Sequence, residues 1–273
     1  RTKREKSMKT RVRKTLFLLV ASGLVLAACG GTSSGVTLAP PVQNNPPAVI
    51  DVDADGNTSF NLDRLRDELA AIPLGTITAA EEDGLLYMRE EEKLAHDVYV
   101  ELNRLWQHNT FANISLSELT HTEAVLLLLD RYSITDPVGL NAAGVFTDPT
   151  LQGLYDLLVA LGSASLIDAL MVGAEVEEID LIDIQTWLTD VEGNDDIVMV
   201  YENLMKGSRN HLRAFVRALE RQNVVYQPQH LSQDDYDEII NSPTETGSLW
   251  RPPGFLRKVR TGRIATRVSS MNF

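Results

Sequence analysis

The feature that most constrains this chain is a helical spacing of apolar side chains that continues, with few breaks, from residue 61 to residue 241. Apolar residues recur there at steps of three and four, which is the spacing of one face of an α-helix, and no convincing alternation typical of a β-strand interrupts them. Helices of this kind are stable when they bury the apolar face against other helices. The sequence therefore predicts an all-α domain over residues 61–241.

The ends of the helices follow from capping and breaking residues. Thr78 with Glu81 three positions later forms a capping box, and Pro149 after Asp148 is typical of a first helical turn. The predicted helices are a short one at 61–71, long ones at 79–107, 112–132, 164–190 and 194–223, a short one after Asp148-Pro149, and a small one over 232–241. One long connection, 133–162, joins the second and third long helices. This crossover predicts a ferritin-like four-helix bundle rather than an up-and-down bundle.

Residues 1–28 have the features of an export signal. Basic residues precede an apolar run over 16–28, and small residues end it. The run leads into Leu26-Ala27-Ala28-Cys29, which contains the only cysteine of the chain and resembles the lipobox of bacterial lipoproteins. The resemblance implies a signal peptide over 1–28, lipidation of Cys29, and a lipid-anchored protein of the bacterial cell envelope, either periplasmic or on the outer surface.

Both flanks of the helical domain have compositions that disfavour folding. Residues 29–60 are rich in Gly, Ser and Pro, and we expect them to form a disordered tether that holds the domain away from the membrane. Residues 242–273 are rich in Arg and contain three prolines. We expect them to form a basic, disordered tail.

Part of the tether imitates a calcium loop. Asp51, Asp53 and Asp55, followed by Gly56, have the spacing of the first half of such a loop. Position 12 is Leu62, where a bidentate Glu is required. A solvated acidic linker is therefore the default interpretation, and calcium binding is the alternative.

Composition excludes several functions. The chain has 38 Asp and Glu against 25 Lys and Arg, a net charge of −13, whereas nucleic-acid binding needs clustered cations. A single cysteine excludes a thiolate metal cage and an internal disulfide. The sequence thus predicts no nucleic-acid partner, membrane lipid as the partner of Cys29, and leaves a protein partner and a homo-oligomer open.

Ionisable residues interrupt the apolar faces of the long helices. Glu177 stands in an otherwise apolar face of the third long helix, and His211 stands in that of the fourth. On the second, Glu118 and His121 are three residues apart and share a face. A buried carboxylate is costly unless it is paired, protonated or bound to a metal. On the first, the helical spacing fits either of two neighbouring glutamates.

The order of these residues along the chain is that of a ferritin-like metal site, which takes a Glu from each of two helices and a Glu-x-x-His pair from each of the other two. Glu92-x-x-Ala95-x-x-x-Tyr99 resembles the first-helix motif of rubrerythrins and ferritins, and this resemblance favours Glu92 over Glu91. Segments 90–99, 144–149 and 207–215 together resemble a bacterial ferritin-like family of unknown function, over about residues 78–240.

The resemblance implies a site for iron or manganese, with one or two ions. The implied ligands are Glu92, Glu118, His121, Glu177 and His211. The expected function is that of a non-haem iron protein of the envelope that oxidises iron or handles oxygen or peroxide. The alternative is a non-enzymatic binding module with a degenerate or structural metal site.

One departure from the motif favours the alternative. Ser208 stands three residues before His211, where the motif has a Glu. Three outcomes are open: Glu178 turns inward, a water on Ser208 fills the place, or the site holds one metal or none. Asp180 is expected on the surface.

Overall fold

The computed structural model of the protein describes residues 48–247. The predicted signal peptide, Cys29, and most of the predicted tether and tail lie outside these residues. The elements of the described part are β1 (Ile50–Val52), β2 (Thr58–Phe60), α1 (Leu62–Ala71), α2 (Ala79–Trp106), α3 (Asn109–Tyr132), α4 (Pro149–Gly162), α5 (Leu166–Leu188), α6 (Asp195–Arg221) and α7 (Gln233–Asn241). The prediction of an all-α fold is confirmed.

The predicted helix ends agree closely with the structure where caps define them. The Thr78 hydroxyl accepts the backbone N–H of Glu81 at 3.2 Å, and the Glu81 carboxylate accepts that of Thr78 at 2.8 Å, so the capping box is present. The second long helix begins three residues earlier than predicted, because the His108 ring caps it by accepting the N–H of Thr110. The helix that begins at Pro149 lies in the long connection, as predicted, and is 14 residues long.

The four long helices pack in two sequential pairs. α2 packs against α3 and α5 against α6, and the pairs meet where α2 contacts α5 and α3 contacts α6. α4, within the connection between the pairs, packs against α2 and α5. None of the helices in the described part is long and apolar enough to cross a membrane.

The predicted boundary of the tether is wrong. β1 and β2 pair antiparallel, with Ile50 opposite Phe60 and Val52 opposite Thr58. Ile50 and Phe60 are buried, and β2 contacts α3 and α6. Burial of these side chains stabilises a hairpin that its Gly- and Asp-rich surroundings do not predict.

The possible calcium loop is the turn of this hairpin. The Asp53 carboxylate accepts the N–H of Asp55 at 2.9 Å and that of Asn57 at 3.0 Å, and Gly56 has a φ of +91°, a region that favours glycine. The acidic spacing therefore serves a tight turn.

The predicted start of the disordered tail is also too early. The Glu245 carboxylate accepts two hydrogen bonds from Arg209, each at 2.7 Å, and the Glu245 backbone N–H donates to Asn210 Oδ1 at 2.9 Å. These contacts fix the chain against α6 beyond residue 242, because an ion pair with a bidentate guanidinium is geometrically specific.

Candidate metal centre

Five ionisable side chains converge between the four long helices. They are Glu92 from α2, Glu118 and His121 from α3, Glu177 from α5, and His211 from α6. Each is at most 2% exposed. Glu118 lies between the imidazoles: Oε2 is 2.8 Å from His121 Nδ1, and Oε1 is 2.7 Å from His211 Nδ1. Glu92 Oε2 is 3.4 Å from His121 Nδ1, and Glu177 Oε2 is 3.7 Å from His211 Nδ1.

This centre forms a polar layer between two apolar clusters. On α2, Met88 belongs to one cluster and Leu94 to the other, and on α6 the same holds for Leu204 and Leu212. The helices therefore have ordinary apolar cores on both sides of the ionisable residues. Because these clusters are close-packed, they hold the helices and fix the positions from which the ionisable side chains project.

The hairpin contacts the two imidazoles of the centre, which the sequence did not predict. The Thr58 backbone N–H points at His211 Nε2 at 3.2 Å, and the Thr58 carbonyl oxygen lies 2.8 Å from His121 Nε2. The Phe60 ring meets the His121 ring edge to face, with centroids 5.6 Å apart. One short strand therefore orients both imidazoles from the side away from the carboxylates. The sequence signal was weak, because each strand is only three residues long.

Close approach of α6 to His121 requires a glycine. A Cβ at Gly207 would lie 2.5 Å from His121 Cε1, a distance that demands movement of the ring. Tyr99 supports Glu177, because the Tyr99 hydroxyl donates a hydrogen bond to Glu177 Oε1 at 2.6 Å. Groups that hold metal ligands in this way commonly tune metal affinity.

Two more carboxylates lie beside the centre. Asp180 is buried rather than on the surface, and it accepts a hydrogen bond from Ser208 Oγ of α6. Glu91 is buried as well as Glu92, and of the two, Glu92 is the one that lies within ion-pair distance of His121. Glu177-x-x-Asp180 has the same three-residue spacing as Glu118-x-x-His121. This repeated spacing is the sequence feature from which the position of Asp180 beside the centre could have been predicted.

Glu178 does not turn toward the centre. Its carboxylate is buried on another side of α5, where it accepts the backbone N–H groups of Gln229 at 3.0 Å, His230 at 2.7 Å and Leu231 at 2.8 Å. The first of the three outcomes considered for Ser208 is therefore wrong. Asp180 is the carboxylate that lies against Ser208.

The charges of the centre are strongly interdependent. Burial opposes ionisation of Glu118, but the two imidazoles hold the pKa of its carboxyl well below the usual range. Burial likewise disfavours a charged His121, but Glu118 and Glu92 raise its pKa well above the usual value. Burial raises the pKa of Glu92 to about 7 and that of Glu177 to about 7, and the charge of Glu118 adds to both shifts.

His211 experiences opposing influences. Burial favours the neutral ring, whereas Glu118 and Glu177 favour the charged ring and raise the pKa to about 9. The Thr58 N–H works against the charged form, because it requires a lone pair on Nε2 of His211. Without a metal, protons bound to these rings and carboxyls reduce the repulsion between the clustered carboxylates, and this allows the carboxylates to be buried.

The residues present fit a divalent cation. Glu118, His121 and His211 each offer a ligand atom within 4.8 Å of the others. Glu92 Oε1 is buried without a hydrogen-bond partner among the described residues, and the two Nδ1 atoms have only carboxylate oxygens of the centre near them. Buried polar atoms without partners are rare in stable proteins, and a carboxylate with two imidazoles is a donor set that suits transition metals. This buried cluster can hold a metal ion.

Comparison with known proteins gives the family. The chain is 49% identical over 179 residues to the uncharacterized protein MJ0754 of Methanocaldococcus jannaschii, which is 66% of this chain and 96% of that protein. A crystal structure of hypothetical protein MJ0754 from Methanococcus jannaschii is similar, with a TM-score of 0.62, 49% identity, and coverage of 64% of this chain and 99% of that chain. Residues 81–243 match the model of the uncharacterized protein domain DUF2202 and include all five residues of the centre. The chain therefore belongs to the DUF2202 family.

Proposed function

We propose that this protein is a ferritin-like metalloprotein that binds iron or manganese between its four long helices. The observation that carries the proposal is the convergence of five buried ionisable side chains, one or two from each long helix, around the carboxylate of Glu118. The order Glu, Glu-x-x-His, Glu, His along the chain and the long connection that contains α4 support the ferritin-like comparison.

Each residue has a distinct role in the proposed site. Glu118 would be the central ligand, because its two oxygens face different imidazoles. Glu92, which lies near His121, and Glu177, which lies near His211, would complete the set of ligands with the two imidazoles. Thr58 and Tyr99 orient the ligands. Bound iron would supply one-electron chemistry toward oxygen or peroxide, and the burial of the site would exclude bulk water from it.

The proposal extends to location. Leu26-Ala27-Ala28-Cys29 after a basic start supports lipidation of Cys29 and attachment to the envelope membrane. In a bacterial host, the full chain should partition into detergent and carry acyl mass on Cys29, whereas Cys29→Ser should lose both properties. A wild-type protein that stays in the aqueous phase with an unmodified thiol would overturn the location without affecting the metal centre.

Metal content tests the central proposal. The purified full chain is stripped of metal, reconstituted with Fe(II) under anaerobic conditions or with Mn(II), and measured by elemental analysis. The wild type and Glu175→Gln should retain metal, since Glu175 pairs with His230 outside the centre. Glu118→Gln should lose most of the metal, because the Glu118 carboxylate lies against both His121 and His211.

Absence of metal from the wild type would overturn the metalloprotein and leave the non-enzymatic module, the alternative that Ser208 favours. If metal binds, oxygen and peroxide consumption by the Fe(II) form, compared with Glu118→Gln, separates an oxidoreductase from a structural metal site. A rate equal to that of free Fe(II) would support the structural role.

A further inference from the structure

A row of carboxylates leads away from the candidate metal centre along the interface of α2 and α5. Glu177, Asp180 and Asp183 follow one another at steps of three residues on α5, so each is a neighbour of the next on the helix surface. At about 1.5 Å of rise per residue, each step advances about 4.5 Å along the axis. Glu91 of α2 faces this row, and its strongest charged neighbours are Asp183, Asp180 and Glu92.

The row changes from partly exposed to buried along its length. Asp183 is half-buried and accepts a hydrogen bond from the Tyr87 hydroxyl at 2.9 Å. Asp180 is 6% exposed, and Glu177 is 2% exposed. The carboxylates therefore connect the outer part of the α2–α5 interface to the centre.

Three buried carboxylate oxygens along the row have no N–H or hydroxyl donor among the described residues. Neither carboxylate oxygen of Glu91, a residue only 4% exposed, accepts a hydrogen bond from an N–H or hydroxyl group among the described residues, and its hydrogen-bonding neighbour is another carboxyl group, that of Asp183. Asp180 Oδ1 has no partner there either. The buried hydroxyl of Tyr201, on which Glu91 and Glu92 exert the strongest influence among charged groups, also has no hydrogen-bond partner among the described residues. Unsatisfied buried acceptors of this kind are costly.

Glu178 shows how the same helix satisfies a buried carboxylate that has a structural role. It is 0% exposed, and the backbone N–H groups of residues 229–231 all donate to it. No comparable set of donors serves Glu91 within residues 48–247. Glu91 and Asp180 therefore keep buried carboxylate oxygens that no N–H or hydroxyl group of the described residues satisfies, and these oxygens are available to a cation.

We propose that Asp183, Glu91 and Asp180 form the access path by which a divalent cation reaches the buried centre. The path rests on the proposed metal-binding function. A cation first meets Asp183 at the outer part of the interface, passes between Glu91 and Asp180, and is transferred to Glu92 and Glu177. Carboxylate oxygens replace its water ligands in succession, which lowers the cost of desolvation at each step.

The test measures the rate of metal uptake rather than affinity. Metal-free full chain is mixed with Co(II) alone in a stopped-flow instrument, and the visible absorbance of Co(II) bound to imidazole reports arrival at His121. Asp183→Asn and Glu91→Gln should each slow the uptake about tenfold, since negatively charged clefts accelerate cation association by that order. For Asp183→Asn, the final absorbance should equal that of the wild type, because Asp183 is not a ligand in the centre.

Two control variants distinguish a specific access path from a general effect of negative charge on the rate of metal uptake. Asp183→Glu keeps the charge and should restore most of the rate, and Glu101→Gln removes from α2 a charge that pairs with Arg104 outside the row and should leave the rate unchanged. Thermal unfolding confirms that the variants are folded. If the wild type binds Co(II) but Asp183→Asn and Glu91→Gln load at the wild-type rate, the path is overturned and the metal centre stands. If the wild type never binds Co(II), both proposals fall.

Discussion

The imidazole rings of His121 and His211 are stacked, with centroids 5.4 Å apart and planes inclined by 17°. Their Nδ1 atoms both face the Glu118 carboxylate, and their Nε2 atoms both face the Thr58 backbone. The two rings therefore act as one layer between an acidic centre and a strand. Thr58 precedes the residues 81–243 that match the family model, so part of the support for the centre comes from outside that segment.

Gly207 sets how closely α6 approaches this ring pair. Gly207→Ala would place a Cβ 2.5 Å from His121 Cε1, and we expect the ring to move and metal affinity to fall by about 10–100-fold, the range typical of lost ligand support. Titration with Mn(II) measures the change. Gly153→Ala is the matched control, because a Cβ there meets nothing within 4 Å. It should leave affinity unchanged and raise stability by about 0.5–1 kcal/mol, since Ala is the better helix former.

Tyr99 provides a second test of ligand support. Tyr99→Phe keeps the ring, which packs on Phe111 and Phe215, but removes the hydroxyl that donates to Glu177 Oε1. We expect Mn(II) affinity to fall about tenfold, because Glu177 loses the contact that orients it. Tyr236→Phe, at a buried tyrosine of α7, should leave affinity unchanged. Equal affinities in wild type and Tyr99→Phe would show that Glu177 is not a ligand.

Much of the fold and of the site could be predicted because both depend on helical spacing. Glu177 and His211 stand in apolar faces that continue for several turns on either side, so their burial is implied by their neighbours. Asp180 was missed because it lies one residue away from the apolar face through Leu181 and Ile184, and its contact with Ser208 of α6 is a long-range one that no local pattern contains. The hairpin was missed because its stability comes from long-range contacts of Ile50 and Phe60, which no local pattern contains.

The apolar clusters on either side of the centre should carry most of the stability. Leu204 is completely buried next to the polar layer, and Leu204→Ala should cost about 2–5 kcal/mol, the usual range for a buried leucine. Leu140 is fully exposed in the connection before α4, and Leu140→Ala should have no measurable effect. Chemical denaturation of the metal-free protein measures both. Similar values for the two variants would mean that the helical faces have been assigned wrongly.

The stability of the metal-free protein should fall as pH rises, and a bound cation should oppose this fall. Glu92 and Glu177 have pKa values near 7 in the folded protein against 4.5 for the free side chain, and His211 has about 9 against 6.5. A group whose pKa is raised by folding stabilises the protein fully below its unfolded pKa and loses that effect as pH passes the folded value. The carboxyls therefore lose their contribution between about pH 4.5 and 7, and His211 between about pH 6.5 and 9.

Thermal midpoints measured from pH 5 to pH 9, with and without Mn(II), test this prediction. The metal-free midpoint should decrease across the range, whereas the Mn(II) form should hold or gain stability, because the cation displaces the protons and neutralises the carboxylates in their place. Glu118→Gln serves as the control: without the Glu118 charge, His121 and His211 lose the partner that raises their pKa, so the decrease between pH 7 and 9 should largely disappear. A metal-free midpoint that rises steadily from pH 5 to pH 9 in the wild type would show that the five side chains are not coupled through shared protons.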